Sequence, residues 1–121
     1  MNLDKQISAL QAVRIDIADR NRTLTFRELE GRLLRTRLTF ELRTGRRSAD
    51  GKDWAIAPIS SNDAAEKAAK VHPDYIEHER ETAQQTYERD VKYAEAETLV
   101  FSLRVALDAM PESETVQHAT S

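Results

Sequence analysis

The sequence predicts an all-α protein built on a long antiparallel helical hairpin that follows an N-terminal helix. Apolar residues recur at helical spacing through 26–44, and 74–110 contains neither glycine nor proline. Charged residues make up 32% of the chain, above the average of about 25%, as is typical of long exposed helices. We expect one helical domain over residues 1–110 and a flexible tail over 111–121.

The first 26 residues carry two competing patterns. Leu3, Ile7 and Leu10 have the spacing of a helix, whereas apolar and polar residues alternate over 13–17 as they do in a strand. Two interpretations therefore stay open, a short β-hairpin at 13–26 or a break between two helices. We favour the helical interpretation.

A second helix is predicted from residue 26 to residue 44. Thr25 and Glu28 have the spacing of a capping box at a helix start, and Gly45 can adopt the left-handed conformation that ends a helix. Two apolar stripes run along this helix, which indicates two packing neighbours. One stripe comprises Phe26, Leu29, Leu33 and Phe40, and the other comprises Leu34, Leu38 and Leu42.

A polar loop over 45–60 follows and contains Trp54. We expect Trp54 to close the open end of the hairpin, with base or ligand stacking as the alternative. Four residues that often cap helices, at 60–63, precede a short helix that should end near Lys70.

The last predicted helix begins at Pro73 and ends at Met110, because proline suits the first helical turn and Pro111 stops the helix. A heptad pattern along it predicts a coiled-coil seam with a partner helix, formed by Tyr87, Val91, Ala94, Thr98, Phe101 and Val105. Near its end, apolar residues surround most of the helix, so they form either the core or an interface between copies. The predicted oligomer interface comprises Leu34, Leu38, Leu42, Leu99, Val100, Phe101, Leu103 and Leu107.

The net charge of −3 hides an uneven distribution along the chain. Nine arginines and three glutamates give Arg20–Arg47 a charge of +6, whereas the residues from Ser48 onward carry −8. Arginines on one helix face could neutralise the phosphates of a nucleic acid without reading its sequence. The alternative is that they pair with the acidic long helix. The predicted nucleic-acid-binding residues are Arg32, Arg35, Arg43, Arg46, Arg47 and Lys52.

No pattern of a catalytic, metal or cofactor site is present in the sequence. There is no cysteine and no glycine-rich phosphate loop, and His72, His78 and His118 lack the spacing of metal ligands. A solvated helix face explains the carboxylates. The sequence also lacks a run of about 18 apolar residues and a signal-peptide core. We therefore expect a cytoplasmic protein that is not an enzyme and needs no cofactor.

The stretch from Phe26 to Met110 resembles small helical-hairpin proteins of tailed bacteriophages. The resemblance lies in a charged helix ending in ELRTGRR, a polar loop, the short helix SSNDAAEKAAKVHPDY and the closing helix YAEAETLVFSLRVALDAM. Some proteins of that shape are recombination mediators that form rings and load a recombinase on single-stranded DNA. The resemblance implies homo-oligomeric assembly and DNA binding, in the host cytoplasm if a phage encodes the protein.

The function predicted from these observations is that of a DNA-binding accessory protein, acting in phage recombination by loading a recombinase on single-stranded DNA. The alternative is a helical adaptor or inhibitor that binds a host or viral protein without nucleic acid. Neither function requires a membrane.

Overall fold

The computed structural model describes residues 2–51 and 57–110. These residues form three α-helices, α1 (Leu3–Thr44), α2 (Asn62–Lys70) and α3 (Pro73–Asp108), and no strand. α1 and α3 pair as an antiparallel hairpin with the short α2, so the predicted all-α hairpin is confirmed. None of the described helices combines the length and the apolar character that crossing a membrane requires.

The chain divides into two compact units, and α1 and α3 each contribute to both. One unit, which we call the terminal unit, comprises Met1–Asn21 and Glu88–Ser121, and the other, the central unit, comprises Arg22–Tyr87. Each unit therefore contains a segment of α1 and a segment of α3. The predicted tail over 111–121 lies outside the described residues.

The N-terminal half of α1 is one uninterrupted helix, so both the β-hairpin at 13–26 and the break between two helices are wrong. Leu10, Val13 and Ile17 are buried at spacings of three and four, the period of a helix that packs against another helix. Ile15, which produced the strand-like alternation, is 64% exposed. Thr25 consequently lies in the middle of a helix, where its resemblance to a capping residue has no structural role.

α1 ends at the position that Gly45 predicts. Gly45 has φ of 71°, and the backbone N–H of Arg46 donates to the Glu41 carbonyl at 2.8 Å. This bond from the second residue beyond the helix is the mark of a Schellman motif, which satisfies a carbonyl that the helix leaves free. The Ile59 N–H then donates to the Leu42 carbonyl at 3.0 Å and fastens the returning loop to the helix end.

The short helix α2 begins and ends where its capping residues predict. Ser61 has extended backbone, and its hydroxyl accepts a bond from the Ala64 N–H at 3.3 Å, so Ser61 is the N-cap. The alanines at 65 and 69 form its buried face, against Leu38 and Leu42 of α1. These four residues are at most 1% exposed and make the closed core of the central unit.

The start of α3 depends on a histidine cap that the sequence did not predict. His72 is fully buried, its Nδ1 accepts a bond from the Asp74 N–H at 3.1 Å, and its carbonyl accepts the Ile76 N–H at 3.0 Å. These are the two bonds of an N-cap residue, with Pro73 in the first helical position. Nε2 then donates to the Ser48 carbonyl at 3.0 Å, which joins the loop after α1 to the start of α3.

The face of α3 that packs against α1 differs from the face that the sequence predicted. Most half-buried residues of α3 repeat at heptad spacing and are largely polar in the first half of the helix. They are Tyr75, His78, Thr82, Gln85, Arg89, Lys92, Ala96, Leu99, Leu103 and Ala106, and Met110 continues the spacing just beyond the helix. Thr86, Val100 and Ser102 are half-buried outside this repeat. The predicted seam, by contrast, is exposed from Tyr87 to Val105, so its partner helix is not α1.

Polar contacts fill this seam in the central unit. The Arg27 guanidinium donates to the Thr82 hydroxyl at 2.9 Å and to the His78 carbonyl at 3.1 Å, and it also contacts the Glu81 carboxylate at 3.2 Å. Gly31 is buried and lies directly opposite the His78 ring. A Cβ added to Gly31 would lie 3.2 Å from His78 Cε1. The glycine therefore makes room for a histidine on the facing helix.

Candidate nucleic-acid interface and exposed apolar stripes

A basic cleft lies in the central unit between the last turns of α1 and the exposed face of α2. It has a volume of about 430 Å³. α2 contributes residues four positions apart, while α1 contributes residues from three successive turns, so the two rows face each other across the cleft. The lining residues are Arg35, Thr36, Thr39, Phe40, Arg43, Asn62, Glu66 and Lys70.

The cleft carries three cations and one carboxylate. Within residues 2–51 and 57–110, no carboxylate oxygen lies within 4.0 Å of the charged groups of Arg35, Arg43 or Lys70. The single acidic side chain, Glu66, accepts a bond from the Asn62 amide at 3.1 Å. The local charge is therefore positive, although the chain as a whole is acidic.

Two of these cations are held in place by neutral partners. Arg43 donates to the Ser60 carbonyl at 3.5 Å, at the edge of the range for a hydrogen bond. Arg35 lies beside Tyr75, whose pKa is raised above its ordinary value first by burial and then by the neighbouring Glu79 carboxylate, while Arg35 acts in the opposite direction. Tyr75 therefore stays protonated at neutral pH and presents an uncharged phenol to Arg35.

The six predicted nucleic-acid-binding residues have different positions in the structure. Arg35 and Arg43 line the cleft, whereas Arg32 and Arg46 are exposed but do not line it. The Arg46 guanidinium lies 5.6 Å from the centre of the Phe40 ring. Arg47 is bound by two carboxylates, those of Glu41 and Asp74. Lys52 and Trp54 lie outside the described residues.

The alternative prediction, that the arginines pair with the acidic long helix, holds for some of them. Arg27 pairs with Glu81, Arg47 with Asp74 and Arg20 with Glu88, all of α3. The arginines of the cleft are outside this group. The structure thus separates the basic residues into a set that ties α1 to α3 and a set that stays open to solvent.

Sequence reasoning missed Lys70 as part of this surface. The alanine spacing of α2 could have indicated its position, because Ala65 and Ala69 mark the buried face of the helix. Asn62, Glu66 and Lys70 then lie together beside that face. The helix period alone shows that these three residues share a side. Only the packing of α2 against α1 shows that this side meets Arg35 and Arg43.

An exposed apolar stripe, the α1 stripe, runs along the same helix. Its large side chains are between 51% and 61% exposed, although a helix buries such residues when a neighbour is available. The stripe therefore lacks cover within the described chain. It comprises Phe26, Leu29, Leu33, Thr36 and Phe40.

A second exposed stripe, the α3 stripe, lies on the long closing helix. Its residues are the predicted heptad seam, and its large side chains are between 47% and 68% exposed. Phe101, at 68%, is the most exposed large apolar side chain of the described residues. The stripe comprises Tyr87, Val91, Ala94, Thr98, Phe101 and Val105.

The predicted oligomer interface is divided by the structure. Leu38 and Leu42 are 0% and 1% exposed in the chain's own core, so a second copy could not reach them in this conformation. Leu34 packs against that core, and Leu99, Val100 and Leu103 are half-buried. Phe101 and Leu107 remain exposed at 68% and 46%. Of the predicted interface residues, Phe101 is the one that lies on a stripe, the α3 stripe.

No group of three or more metal-ligating side chains occurs among the described residues. No protein-family model, curated protein or solved structure was found that matches this chain.

Proposed function

We propose that this protein is a non-enzymatic accessory protein that binds the backbone of single-stranded DNA through the basic cleft. The observation that carries the proposal is the convergence of Arg35, Arg43 and Lys70 around one cleft that contains a single carboxylate. Guanidinium and ammonium groups bind phosphates and release the counterions condensed on them, which supplies affinity without sequence preference.

The preference for single strands rests on Phe40. Its ring lines the cleft and is 55% exposed, while Arg46 lies over it at 5.6 Å. Proteins that bind single strands without sequence preference combine a basic groove with aromatic rings on which bases stack. A duplex keeps its bases stacked inside, so Phe40 has no equivalent partner there. A role in recombination, with the protein holding a strand for a recombinase, is the part of the proposal that depends on the resemblance to phage proteins.

The test is fluorescence anisotropy with a labelled thymidine oligonucleotide at increasing salt. Three phosphate contacts on a single strand predict a salt slope of about −2, so a fourfold rise in salt should weaken binding roughly twentyfold. The double variant Arg35→Glu/Arg43→Glu should lose most of the affinity, and Phe40→Ala should weaken binding about tenfold. A duplex of equal length should bind more weakly than the single strand.

The matched control reverses two exposed cations away from the cleft lining, Lys67→Glu/Arg80→Glu, with the same change in net charge. Among the described residues their ion pairs run along their own helices, from Lys67 to Asp63 and from Arg80 to Glu77. Binding by the control should stay near that of the wild type. Equal losses in both double variants would contradict a site at the cleft, and so would an absence of oligonucleotide binding at low salt.

The exposed stripes favour a second candidate function, a helical adaptor or inhibitor that binds a host or viral protein. Exposed apolar surface arranged along a helix is a frequent mark of a protein interface. Under this function the oligonucleotide should not bind, and the cleft variants should leave the binding of the partner protein unchanged. The anisotropy experiment therefore separates the two functions directly.

A further inference from the structure

We infer that the α1 stripe of one copy packs antiparallel against the α3 stripe of a second copy. Both stripes are exposed in the described chain, and in this contact each stripe buries the other. The inference does not rest on the proposed DNA binding. The two share Thr36 and Phe40, which also line the cleft, so a Phe40 ring packed against a second copy is not free to stack on a base.

The two stripes have the same spacing. The α1 stripe advances by steps of three, four, three and four residues from Phe26 to Phe40, and the α3 stripe makes the same steps from Val91 to Val105. Helices with a common heptad period keep their apolar residues in register along the contact, so each side chain fits between residues of the facing helix. Both stripes therefore meet the geometric requirement of a coiled coil.

In the antiparallel register each layer of the contact contains at least one large apolar side chain. Placing Phe26 opposite Phe101 fixes all the remaining layers, because both helices advance by the same steps of three and four residues in opposite directions. Leu33 then meets Ala94, and Phe40 meets Tyr87 at the other end. The remaining layers are Leu29 with Thr98 and Thr36 with Val91.

Charge complementarity supports this pairing and its direction. In the antiparallel register, residues that flank the α1 stripe meet residues that flank the α3 stripe. Two opposed pairs of unlike charge result, Arg32 with Glu97 and Arg37 with Glu88, against one pair of like charge, Glu30 with Glu95. Arg37 and Glu88, whose side chains are 61% and 48% exposed, now make ion pairs within the chain with the half-buried Glu41 and Arg20. Such surface pairs are weak and exchange readily.

Pairing of each stripe with its own equivalent is less favourable. Two antiparallel α1 stripes form only four apolar layers instead of five: one register places Arg32 against Arg32 and Phe40 against Arg22, and the other places Phe26 against Arg43. Two α3 stripes would gain Asp90 against Arg104 but would place Glu95 and Glu97 against their own equivalents. Like charges that face each other across a helix pair destabilise it. Contact between unlike stripes is therefore favoured, and each copy can make two such contacts, one through each stripe.

The decisive experiment breaks the two stripes in separate variants and then mixes them. Phe26→Asp/Leu33→Asp removes the α1 stripe, and Val91→Asp/Phe101→Asp removes the α3 stripe. Each variant alone should be monomeric by light scattering, whereas the wild type should contain two or more copies. An equimolar mixture should contain a heterodimer, because one variant keeps the α3 stripe and the other keeps the α1 stripe.

The changed residues are all between 47% and 68% exposed, so the variants should keep the helical circular dichroism of the wild type. The matched control, Val71→Asp/Ile76→Asp, changes two other exposed apolar residues, at 67% and 43%, and should keep the wild-type mass. Two results would overturn the inference: a monomeric wild type at high concentration, or a wild-type mass for either broken-stripe variant.

A second measurement tests the register through charge. Arg32→Glu or Glu97→Arg alone should weaken association roughly tenfold, as expected for reversal of a charge at an interface. The combined variant Arg32→Glu/Glu97→Arg restores opposite charges at this pair of positions and should recover the wild-type affinity. Additive losses in the combined variant would refute the assigned register, whatever the result for DNA binding.

Discussion

The core of the central unit is closed, whereas the core of the terminal unit is open at its edges. In the central unit Leu38, Leu42, Ala65 and Ala69 are at most 1% exposed. In the terminal unit the most buried apolar residues, such as Leu10, are still 7% or 8% exposed. The apolar residue types are similar, so the difference comes from the number of elements that surround them.

Two packed helices can shield only the line along which they touch, whereas a third helix can close one side of that line. In the central unit α2 supplies the third element, and its two buried alanines allow it to approach Leu38 and Leu42 closely. The described part of the terminal unit has only segments of α1 and α3. Its apolar surface is therefore available to another molecule, as the exposed Phe101 shows.

The largest expected effect compares the same truncation in the two cores. Leu38→Ala should lower the free energy of unfolding by about 4 kcal/mol, because the closed core cannot collapse into the space left behind. Leu10→Ala, at the open core, should cost only about 2 kcal/mol, since water and neighbouring side chains can fill the site. Urea unfolding followed by circular dichroism at one fixed protein concentration measures both. Equal losses would mean that the two cores are equally closed.

The next effect concerns the histidine that holds the central unit together. His72→Ala removes both ring bonds and leaves a space where the fully buried ring packed, so stability should fall by about 2 to 3 kcal/mol. His72→Asn should recover about 1 kcal/mol, because asparagine is a good N-cap and its side-chain oxygen can accept the same N–H. Thermal unfolding of the two variants provides the comparison. A loss as large for asparagine as for alanine would exclude the capping role.

The smallest effect tests the close approach of Gly31 and His78. Alanine is more favourable than glycine inside a helix by about 0.8 kcal/mol, but here its Cβ would lie 3.2 Å from the histidine ring. Gly31→Ala should therefore leave the stability of the wild type nearly unchanged and should stabilise a His78→Ala protein by about that amount. The four proteins form a double-mutant cycle. A zero coupling energy would show that the glycine has no role in this contact.

The helix ends could be predicted from the sequence because they depend on local residues. Gly45, the serine and asparagine run before α2, and Pro73 each act within one turn of the helix that they end or begin. The continuity of α1 through 13–26 could not be predicted in this way. Local alternation over 13–17 left a strand open as an alternative, and the packing of Leu10, Val13 and Ile17 in the folded chain is consistent only with a helix.

The candidate site was predicted in part. The helical spacing of Arg35 and Arg43 placed them on one face, and the structure places them in one cleft. Lys70 was missed because it lies on another helix, and its position depends on how α2 packs against α1. Arg47 belonged to the same sequence pattern, yet it lies beyond the end of α1 and is tied to Glu41 and Asp74.

The sequence by itself determined the all-α class, the positions of the capping residues and the two apolar stripes, because these depend on composition and on the 3.6-residue period of a single helix. Only the tertiary structure decided which stripes are buried. Two helices that pair along their length share one line of contact, so the choice of that line depends on every residue along it and not on the most apolar segment. In this protein that line includes Arg27, Gly31 and His78, and it leaves Phe26 and Phe101 exposed.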